Sequence, residues 1–325
     1  MVMPVTLLLT SAGRRVALLE AFRHGAEAAG IDLTVLACDL APDMSAACRV
    51  ADRRFAVPRV DDPDYITALL AICRDHNVGL LVPTIDTELL ALANAAESFA
   101  SIGCHVAISA PAVIDIARDK LATATFLDAS GIPSPRTTAL AALRAGCADC
   151  GWPAILKPRH GSASRGLAIA RGPDDLPQTE QEPMIVQQLL SGEEWTVNLY
   201  FDDHGALRTV VPHRRLQVRA GEVEKGVVQR DPALQTIAER IADHLPGPRG
   251  VLCFQAMRDA GGAFSVFEIN ARFGGGYPLA DRAGATFARW LLERCTGLPD
   301  TAHDGWTAGV TMLRYDAAIF IDRCA

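Results

Sequence analysis

Three polar side chains alternate with apolar ones in the segment FEINARF. Glu268, Asn270 and Arg272 bring a carboxylate, a carboxamide and a guanidinium to every second position. Because successive side chains of a β-strand point to opposite faces, we expect these three to share one face, with the apolar residues on the core face. That core face comprises Phe267, Ile269, Ala271 and Phe273. The alternative interpretation is an ordinary solvated face of an antiparallel strand.

A second apolar run, GVLCFQAM, precedes this segment and predicts a β-hairpin. The glycines at 261–262 suit a two-residue loop, because both positions tolerate positive φ. Gln255 is then predicted opposite Glu268, and Cys253 opposite Asn270.

Carboxylate and amide oxygens are ligands that suit Mg²⁺, which usually takes a few side chains and completes its shell with substrate phosphates and water. We therefore predict that Gln255, Glu268 and Asn270 hold Mg²⁺, with Mn²⁺ as an alternative ion, and that a nucleotide supplies the remaining ligands.

Candidate phosphate-binding residues lie upstream of the hairpin. Lys157 ends the apolar strand AILKP, where a buried ammonium group needs an anionic partner. The small-residue loop HGSASRG follows and could form an anion-binding nest of backbone N–H groups. The loop residues assigned to the nucleotide are Gly161, Ser162, Ser164 and Gly166. Lys120, in RDKL late in a predicted helix, is either a phosphate ligand or a solvated helix position.

The segment VQQLLSGEEW predicts an apolar strand edge whose backbone could contact adenine, with Glu194 as acceptor for a ribose hydroxyl. Basic residues are frequent in the segment PHRRLQVRAGEVEKGVVQR, and together they indicate an anionic substrate, although a solvated charged loop is the alternative. Its charged or titratable members are His213, Arg214, Arg215, Arg219, Lys225 and Arg230. The three glycines at 274–276 either let backbone approach the substrate or form a plain turn.

The composition excludes several classes of protein. The chain has 325 residues, half of them hydrophobic, and a net charge of −7 without a basic block, which argues against nucleic acid as a partner. The first apolar run is too short for a membrane span or a signal peptide and predicts a buried strand instead. Nine scattered cysteines indicate free thiols in a reducing, cytoplasmic location. The isolated pair Cys147 and Cys150 predicts neither a zinc site nor a redox site.

Strand and helix patterns alternate over residues 1–112 and predict a parallel sheet with helices on its faces. The break SAGRR places Gly13 at a strand end, but it is not the GxGxxG fingerprint. An NAD enzyme is therefore disfavoured, and Asp39 is not expected to bind a ribose. A predicted helix ending at Gly131 leads through a Pro-rich linker into a small unit, 113–188, and an antiparallel α+β region, 189–325.

Four motifs together resemble the ATP-grasp superfamily: ILKPRHGSASRG, VQQLLSGEEW, FQAM and FEINARFGGGYP. The closest resemblance is to the synthetase halves of the carbamoyl-phosphate synthase large subunit and their stand-alone relatives, and it covers nearly the whole chain. It implies an α/β and α+β architecture, the ATP-grasp fold, with an N-terminal parallel α/β domain, a small lid domain and a C-terminal antiparallel-sheet domain.

The resemblance also implies roles for individual residues. Lys120 and Lys157 would contact the nucleotide phosphates, Glu194 the ribose, and Arg272 the transferring phosphoryl group or an acyl phosphate. The adenine-contacting strand would comprise Gln187, Gln188, Leu189 and Leu190, and the metal ligands Gln255, Glu268 and Asn270. Gln255 stands where many members of the superfamily have an acidic residue, which would weaken one of the two usual metal positions.

The implied function is an ATP-dependent ligase that joins a small-molecule carboxylate to an amine through an acyl phosphate. A small-molecule kinase, a bicarbonate-activating enzyme like carbamoyl-phosphate synthase, and a catalytically idle nucleotide-binding protein are the alternatives. The chain contains one synthetase unit and no glutamine amidotransferase segment, which argues against production of carbamoyl phosphate. The oligomeric state is open, with a homodimer as one option.

Overall fold

The computed structural model of the chain describes residues 3–161 and 166–321. The strands are β1 (Met3–Leu9), β2 (Ile31–Asp39), β3 (Arg53–Ala56), β4 (Val78–Val82), β5 (His105–Val106), β6 (Thr137–Ala139), β7 (Ala154–Pro158), β8 (Ala168–Ala170), β9 (Met184–Gln188), β10 (Glu193–Phe201), β11 (Leu207–Arg219), β12 (Glu222–Val228), β13 (Gly250–Arg258), β14 (Phe264–Asn270) and β15 (Thr311–Leu313). The α-helices are α1 (Val16–Ala29), α2 (Ala46–Val50), α3 (Tyr65–Asp75), α4 (Leu89–Asn94), α5 (Ala96–Ala100), α6 (Pro111–Arg118), α7 (Lys120–Ala129), α8 (Leu140–Arg144), α9 (Pro232–His244), α10 (Tyr277–Arg282) and α11 (Phe287–Thr296).

The N-terminal sheet is parallel and has the strand order β3-β2-β1-β4-β5. Its central strand β1 is fully buried on both faces at Leu7, Leu8 and Leu9, as expected when helices cover both sides of a sheet. Because the strands are parallel, the loops after β1 and β4 lie at the same edge of the sheet. That edge carries the N-terminal contribution to the cleft described below.

The middle sheet is small and antiparallel, with the order β6-β9-β7-β8. A compact apolar cluster that includes Leu140, Leu156 and Val186 packs beneath it. β9 pairs with β6 on one side and β7 on the other. The prediction that this segment forms a strand edge is therefore wrong, and its backbone becomes free only after the strand ends at Gln188.

The third sheet is antiparallel, with the order β14-β13-β10-β11-β12-β15. Each of the three sheets lies within one of the predicted segments 1–112, 113–188 and 189–325, and the exact boundaries stay a prediction. All cysteines of the described part are free thiols, in agreement with the sequence analysis. None of the helices in residues 3–161 and 166–321 is both long and apolar enough to cross a membrane.

The helix predicted to run to Gly131 is interrupted at Asp119. This residue has extended backbone and caps α7 by accepting a hydrogen bond from the N–H of Leu121 at 2.9 Å, while Arg159 pairs with the same carboxylate. Lys120 is consequently the first residue of α7 rather than a late residue of a longer helix. The break turns its side chain toward the middle sheet.

The hairpin between β13 and β14 contains two compensating irregularities. The loop is one residue longer than predicted: the N–H of Asp259 donates to the carbonyl of Ala263 at 2.9 Å, which leaves residues 260–262 in the loop. A bulge at Phe267 then shifts the register by one residue, so that Gln255 still pairs with Glu268. The predicted cross-strand pairs are thus confirmed, although the predicted two-residue loop is wrong.

The same bulge changes which side chains of β14 face the cleft and which face the core. Phe267 lines the cleft beside Glu268 instead of joining the core with Ile269, because the extra residue interrupts strict alternation. β14 also ends at Asn270, so Arg272 lies just beyond the strand.

Candidate active site

Residues from all three sheets line one cleft with a volume of about 630 Å³. Most of the predicted nucleotide and metal residues line it: Lys120, Lys157, Gly161, Gln187, Gln188, Leu189, Leu190, Glu194, Gln255, Glu268, Asn270 and Arg272. Gly166 packs against Pro158 and does not line the cleft. Ser162 and Ser164 lie outside the described residues.

Two ammonium groups, that of buried Lys157 and that of half-buried Lys120, face the cleft without a carboxylate partner within 4 Å among the described residues. Lys157 is 8 % exposed, and its Nζ donates to Oε1 of Gln187 at 2.8 Å and lies 5.9 Å from the ring centre of Phe267. Burial lowers the pKa of Lys157 to about 8, although Glu268 opposes this shift. Lys120 Nζ donates to the carbonyl of Gly161, and burial lowers its pKa as well. Such a pair of desolvated cations favours an anionic ligand.

A hydrogen-bonded chain connects Glu194 to Glu268 through Arg215 and Gln255. The Arg215 side chain is 4 % exposed, pairs with Glu194, and donates to the carbonyl of Gly221 at 2.8 Å. When the Gln255 amide is oriented to satisfy its neighbours, its oxygen accepts from Arg215 at 3.2 Å and its nitrogen donates to Glu268 at 3.0 Å. We call Lys157, Glu194, Arg215, Gln255 and Glu268 the strand wall.

The donor set fits a magnesium ion that shares its shell with phosphates. Glu268 and Asn270 present oxygen atoms to the cleft, and the described residues contain no cluster of three or more His, Cys, Asp and Glu side chains that could hold a metal by themselves. Mg²⁺ typically binds through one or two carboxylates plus substrate phosphates, so this arrangement suits it. In the orientation above, Gln255 positions Glu268 through its N–H group, and its role as an oxygen ligand stays a prediction.

In the segment that leaves β9, residues 188–190, a backbone N–H group without a backbone partner in the described part of the chain is found only at Leu190. The N–H groups of Gln188 and Leu189 donate to the carbonyls of Arg136 and Pro153 at 2.8 Å and 3.0 Å. Leu190 N–H has no backbone partner among the described residues. Gln187 uses its side chain to hold Lys157, and its amide also donates to Thr137 at 2.7 Å. Gln187 therefore serves to position the lysine in this structure.

The N-terminal domain contributes residues 14–15 and 84–87, which we call the N-terminal wall. Sequence analysis did not find it, because these residues lie in loops without a recognisable motif. Asp86 pairs with Arg272 at 2.7 Å, and Arg272 also donates to Asn270 at 3.2 Å. Burial lowers the pKa of Arg272, but the adjacent Asp86 charge outweighs it and the net shift is upward. Arg272 is thus fixed beside the metal-binding residues as a permanent cation.

A buried carboxylate fixes the loops of the N-terminal wall. Glu88 is fully buried and accepts from the backbone N–H groups of Thr84 and Ile85 at 2.8 Å and 3.1 Å. Its other oxygen accepts from the hydroxyl groups of Tyr65 at 2.6 Å and Ser11 at 2.9 Å. The four bonds tie the end of β1 to the loop after β4, which places Asp86 in the cleft. Burial raises the pKa of Glu88.

Asp39 has a structural role, as expected from the absence of a dinucleotide fingerprint. Its carboxylate accepts from the N–H of Gly13 at 2.8 Å. Ser11 and Gly13 both have φ of +48°, an unfavourable conformation for the serine that its bonds to neighbouring loops maintain. The loop that carries Arg14 and Arg15 is therefore held rigidly.

The three glycines at 274–276 pass close to neighbouring side chains. A Cβ at Gly276 would lie 2.5 Å from Nε2 of the buried His213 ring, so glycine lets the chain pass over this ring and still line the cleft. A Cβ at Gly275 would lie 1.8 Å from a carboxylate oxygen of Glu222, and one at Gly274 would lie 3.1 Å from the sulfur of Cys253, so these side chains would have to shift.

The basic segment of β11 and β12 contributes one arginine to the cleft. Arg215 lines it, whereas Arg214 pairs with Glu193 outside, and Arg219 pairs with Asp316 on the surface. His213 is buried and does not line the cleft. Burial lowers the pKa of His213 to about 3, and the nearby charge of Arg215 lowers it further. The remaining basic members, Lys225 and Arg230, are exposed. Strand alternation explains why only part of the segment faces inward.

Two family models match the chain. Residues 7–107 match a family described as PylC-like, N-terminal domain, and residues 180–317 match one described as ATP-grasp in the biosynthetic pathway with Ter operon.

Curated relatives are D-alanine--D-alanine ligases. That of Ectopseudomonas mendocina (strain ymp) is 26 % identical over 174 residues, which cover 48 % of this chain and 55 % of the relative. That of Stutzerimonas stutzeri (strain A1501) is 27 % identical over 205 residues, covering 55 % and 64 %. The match thus spans less than two thirds of either relative.

Solved structures match over more of the chain. A biotin carboxylase–βγ-ATP complex from Campylobacter jejuni has a TM-score of 0.72 at 15 % identity and covers 93 % of this chain and 73 % of that one. The N5-carboxyaminoimidazole ribonucleotide synthetase of Thermotoga maritima has a TM-score of 0.64 at 18 % identity, with coverages of 92 % and 78 %. An L-amino acid ligase from Bacillus licheniformis has a TM-score of 0.68 at 15 % identity, with coverages of 90 % and 74 %. These similarities establish the arrangement of the three sheets.

Proposed function

We propose that the chain is an ATP-dependent carboxylate–amine ligase of the ATP-grasp superfamily that forms an amide and releases ADP and phosphate. The observation that carries the proposal is the convergence in one cleft of buried Lys157 and half-buried Lys120, which have no carboxylate partner among the described residues, with the Glu268 and Asn270 oxygens and the fixed cation Arg272. Relatives named as ligases support the reaction class.

ATP is one substrate. Lys157 and Lys120 would neutralise its phosphates, and residues 187–190 together with Glu194 would hold the adenosine end. The Arg215 ion pair orients the Glu194 carboxylate toward that end of the cleft. Water is displaced where the lysines are most buried, which strengthens their interaction with phosphate oxygens.

Glu268 and Asn270 would hold Mg²⁺, and the same oxygen ligands also suit Mn²⁺. When bound, the ion neutralises charge on the phosphates during transfer. Gln255 keeps the Glu268 carboxylate in place by donating its N–H group.

The reaction would proceed in two displacements. A carboxylate oxygen of the first substrate attacks the γ-phosphorus, the bond to the β–γ bridging oxygen breaks, and ADP leaves with that electron pair. The amine nitrogen then attacks the acyl carbon, the carbon–oxygen bond to phosphate breaks, and the nitrogen loses a proton. The two lysines and Arg272 offset the charge that accumulates on the transferred group, so catalysis rests on positioning and electrostatics.

Arg272 is the residue that distinguishes a ligase from a kinase in this cleft. Its guanidinium donates to Asp86, Asn270 and the carbonyl of Phe273, and these bonds hold its positive charge where a carboxylate or an acyl phosphate would lie. A kinase that phosphorylates an alcohol forms no acyl phosphate and has no use for this contact.

Hydroxylamine trapping tests the reaction class. The enzyme is incubated with MgATP, hydroxylamine and a panel of carboxylates that includes bicarbonate, and hydroxamate, ADP and phosphate are measured together. We expect hydroxamate with equal amounts of ADP and phosphate for an organic carboxylate. We expect Arg272→Lys to depress trapping, because lysine cannot make the several bonds with which the planar guanidinium is fixed beside Asn270. A stable phosphorylated alcohol without hydroxamate would identify a kinase, and turnover with bicarbonate alone would identify an enzyme like carbamoyl-phosphate synthase.

The assembly and location are further parts of the proposal. A biotin carboxylase domain of similar fold is described as a dimer, and we expect a homodimer, which light scattering after gel filtration can check. The free and mostly buried cysteines of the described part fit the reducing cytoplasm.

A further inference from the structure

Two arginines of the N-terminal wall are not accounted for by nucleotide or metal binding. Arg14 lines the cleft and forms neither a salt bridge nor a hydrogen bond through its side chain with any described residue. Arg15 lines it too and forms a salt bridge with Glu222 at 3.3 Å, and its side chain makes no hydrogen bond with a described residue. The donors of Arg14, and those of Arg15 that do not face Glu222, are therefore available to a ligand.

The acidic residues at this end of the cleft already have closer partners. Asp86 pairs with Arg272 at 2.7 Å, and Glu222 receives a hydrogen bond from Arg314 at 3.1 Å. Arg14 and Arg15 thus represent a local excess of positive charge. Burial lowers the pKa of Arg15, and the neighbouring Arg272 and Arg14 lower it further against the opposing effect of Glu222. An anion placed between the two arginines would relieve this repulsion.

The scaffold presents both arginines in a fixed position. They follow Gly13, whose N–H is held by Asp39 at 2.8 Å and whose carbonyl accepts from Ser45 at 2.9 Å. Helix α1 begins directly after Arg15 with no side-chain cap and no acidic residue in its first turn, so its positive end adds to the same field.

The reacting carboxylate has a different place in the cleft. It must reach the transferred phosphoryl group, near Lys157 and the Glu268–Asn270 pair, where Arg272 is the adjacent cation. Arg14 and Arg15 belong to the N-terminal wall and not to the strand wall. A substrate that contacts both walls would place one anion beside Arg272 and a second one beside Arg14 and Arg15.

We propose that the carboxylate substrate carries a second anionic group, a carboxylate or a phosphoryl group, that binds to Arg14 and Arg15 on the N-terminal wall. This inference rests on the ligase function proposed above and narrows its substrate to small molecules with two anionic groups. A monocarboxylate without a second charge would leave both guanidinium groups without an anionic ligand.

The test compares anionic probes on the intact chain. The enzyme is saturated with Mg²⁺ and a non-hydrolysable ATP analogue, so that the lysines are occupied, and glutarate, butyrate and inorganic phosphate are titrated by calorimetry at constant ionic strength. We expect glutarate or phosphate to bind at least about tenfold more tightly than butyrate, because charge-assisted bonds of this type contribute roughly 1.5–3 kcal/mol. Preference for glutarate would identify a second carboxylate, and preference for phosphate a phosphoryl group.

Variants assign the binding to the two arginines. Arg14→Gln and Arg15→Gln should each weaken probe binding about tenfold, and Arg14→Lys should restore part of it. Arg59→Gln is the matched control, because Arg59 belongs to the same domain and pairs with Asp61 on the surface. All variants should bind the ATP analogue like the wild type.

The outcomes separate this inference from the ligase proposal. Equal binding of butyrate and glutarate, or wild-type preference in both Gln variants, would overturn the second-anion subsite while leaving the ligase function intact. Failure of the wild type to bind the ATP analogue would overturn the proposed function itself.

Discussion

The strand wall of the cleft is built from paired β-strands, whereas the N-terminal wall is built from loops at the ends of parallel strands. On the strand wall, side chains such as Arg215 and Gln255 hold one another across neighbouring strands. On the N-terminal wall, Glu88 accepts from backbone N–H groups of the loop after β4 and from the Ser11 hydroxyl of the loop after β1. The comparison shows two ways to obtain a rigid site. On the strand wall, side chains of neighbouring β-strands hydrogen-bond to one another; on the N-terminal wall, one buried carboxylate accepts hydrogen bonds from two loops.

This difference predicts that changes on the strand wall alter nucleotide or metal function, while changes beneath the N-terminal wall alter stability. The largest effect is expected for Glu268→Gln, which removes the carboxylate proposed to bind the metal. Turnover should fall on the order of 10²–10³-fold, as for other lost electrostatic contacts at a reacting centre, while the melting temperature changes little. ADP release and thermal unfolding measure this, with Mn²⁺ binding as an independent readout.

The control for this variant is Glu193→Gln, a carboxylate on β10 of the same sheet that pairs with Arg214 outside the cleft. It should retain full turnover. A folded Glu268→Gln protein with wild-type activity would contradict the metal assignment.

Replacement of Glu88 should break the N-terminal wall. Glu88→Leu leaves four donors without their acceptor, two of them buried and two partly buried, so the free energy of unfolding should fall by about 3 kcal/mol. Glu88→Gln is the matched variant: its amide oxygen can accept from the two backbone N–H groups, and its NH₂ can donate to the two hydroxyls. We expect a loss of less than about 1 kcal/mol for it in chemical denaturation. Equal losses in both variants would show that charge, rather than acceptor geometry, holds the loops.

Removal of Arg215 should act on both stability and nucleotide binding. Arg215→Met leaves the largely buried Glu194 without its cation and releases Gln255, so we expect a loss of about 2–3 kcal/mol in unfolding free energy. The KM for ATP should rise as well. Arg214→Met, on the adjacent residue, breaks only the exposed pair with Glu193 and should cost less than about 1 kcal/mol. Identical ATP kinetics in Arg215→Met and Arg214→Met would show that the hydrogen-bonded chain through Arg215 does not affect nucleotide binding.

Lys157→Ala should weaken nucleotide binding without unfolding the lid. A charge-assisted phosphate contact is worth about 1.5–3 kcal/mol, so the dissociation constant for ATP should rise roughly 10- to 150-fold in titration calorimetry. Gln187→Ala, which removes the bond that positions Lys157, should give a smaller change in the same direction. An unchanged dissociation constant in Lys157→Ala would mean that the ammonium group does not meet the phosphates.

The smallest effect concerns pH. Because the pKa of buried His213 is lowered to about 3, the unfolded chain binds a proton below pH 6.5 that the folded chain refuses. This residue's contribution to stability is therefore present above pH 6.5 and is lost as the pH falls toward 3, by about 1 kcal/mol per pH unit. His213→Gln should show a shallower decline of unfolding free energy between pH 6.5 and 5. Identical slopes would mean that His213 is protonated in the folded state.

Strand residues of the site could be predicted because alternation and hydrogen-bonding geometry are local rules. Glu268, Gln255 and Asn270 were found from their spacing, and their pairing holds even though the predicted loop was one residue too short and a bulge restored the register. Lys157 was found because a lysine at the end of a buried strand needs an anion. Lys120 was assigned to the cleft, but the helix break at Asp119 that places it there was not predicted, because the cap depends on Arg159 from a different element.

The sequence by itself determined the order of strands and helices, the alternation that separates core from cleft, and the motif residues on the strand wall. Only the tertiary structure decided that Asp86 meets Arg272, that Arg215 alone of its basic segment enters the cleft, and that Arg14 and Arg15 face it without a hydrogen-bonded partner among the described residues. The physical reason is the separation along the sequence over which each kind of interaction acts. Periodicity records interactions within a few residues, whereas Asp86 and Arg272 meet because the loop after β4 of the parallel sheet and the end of β14 of the third sheet line the same cleft.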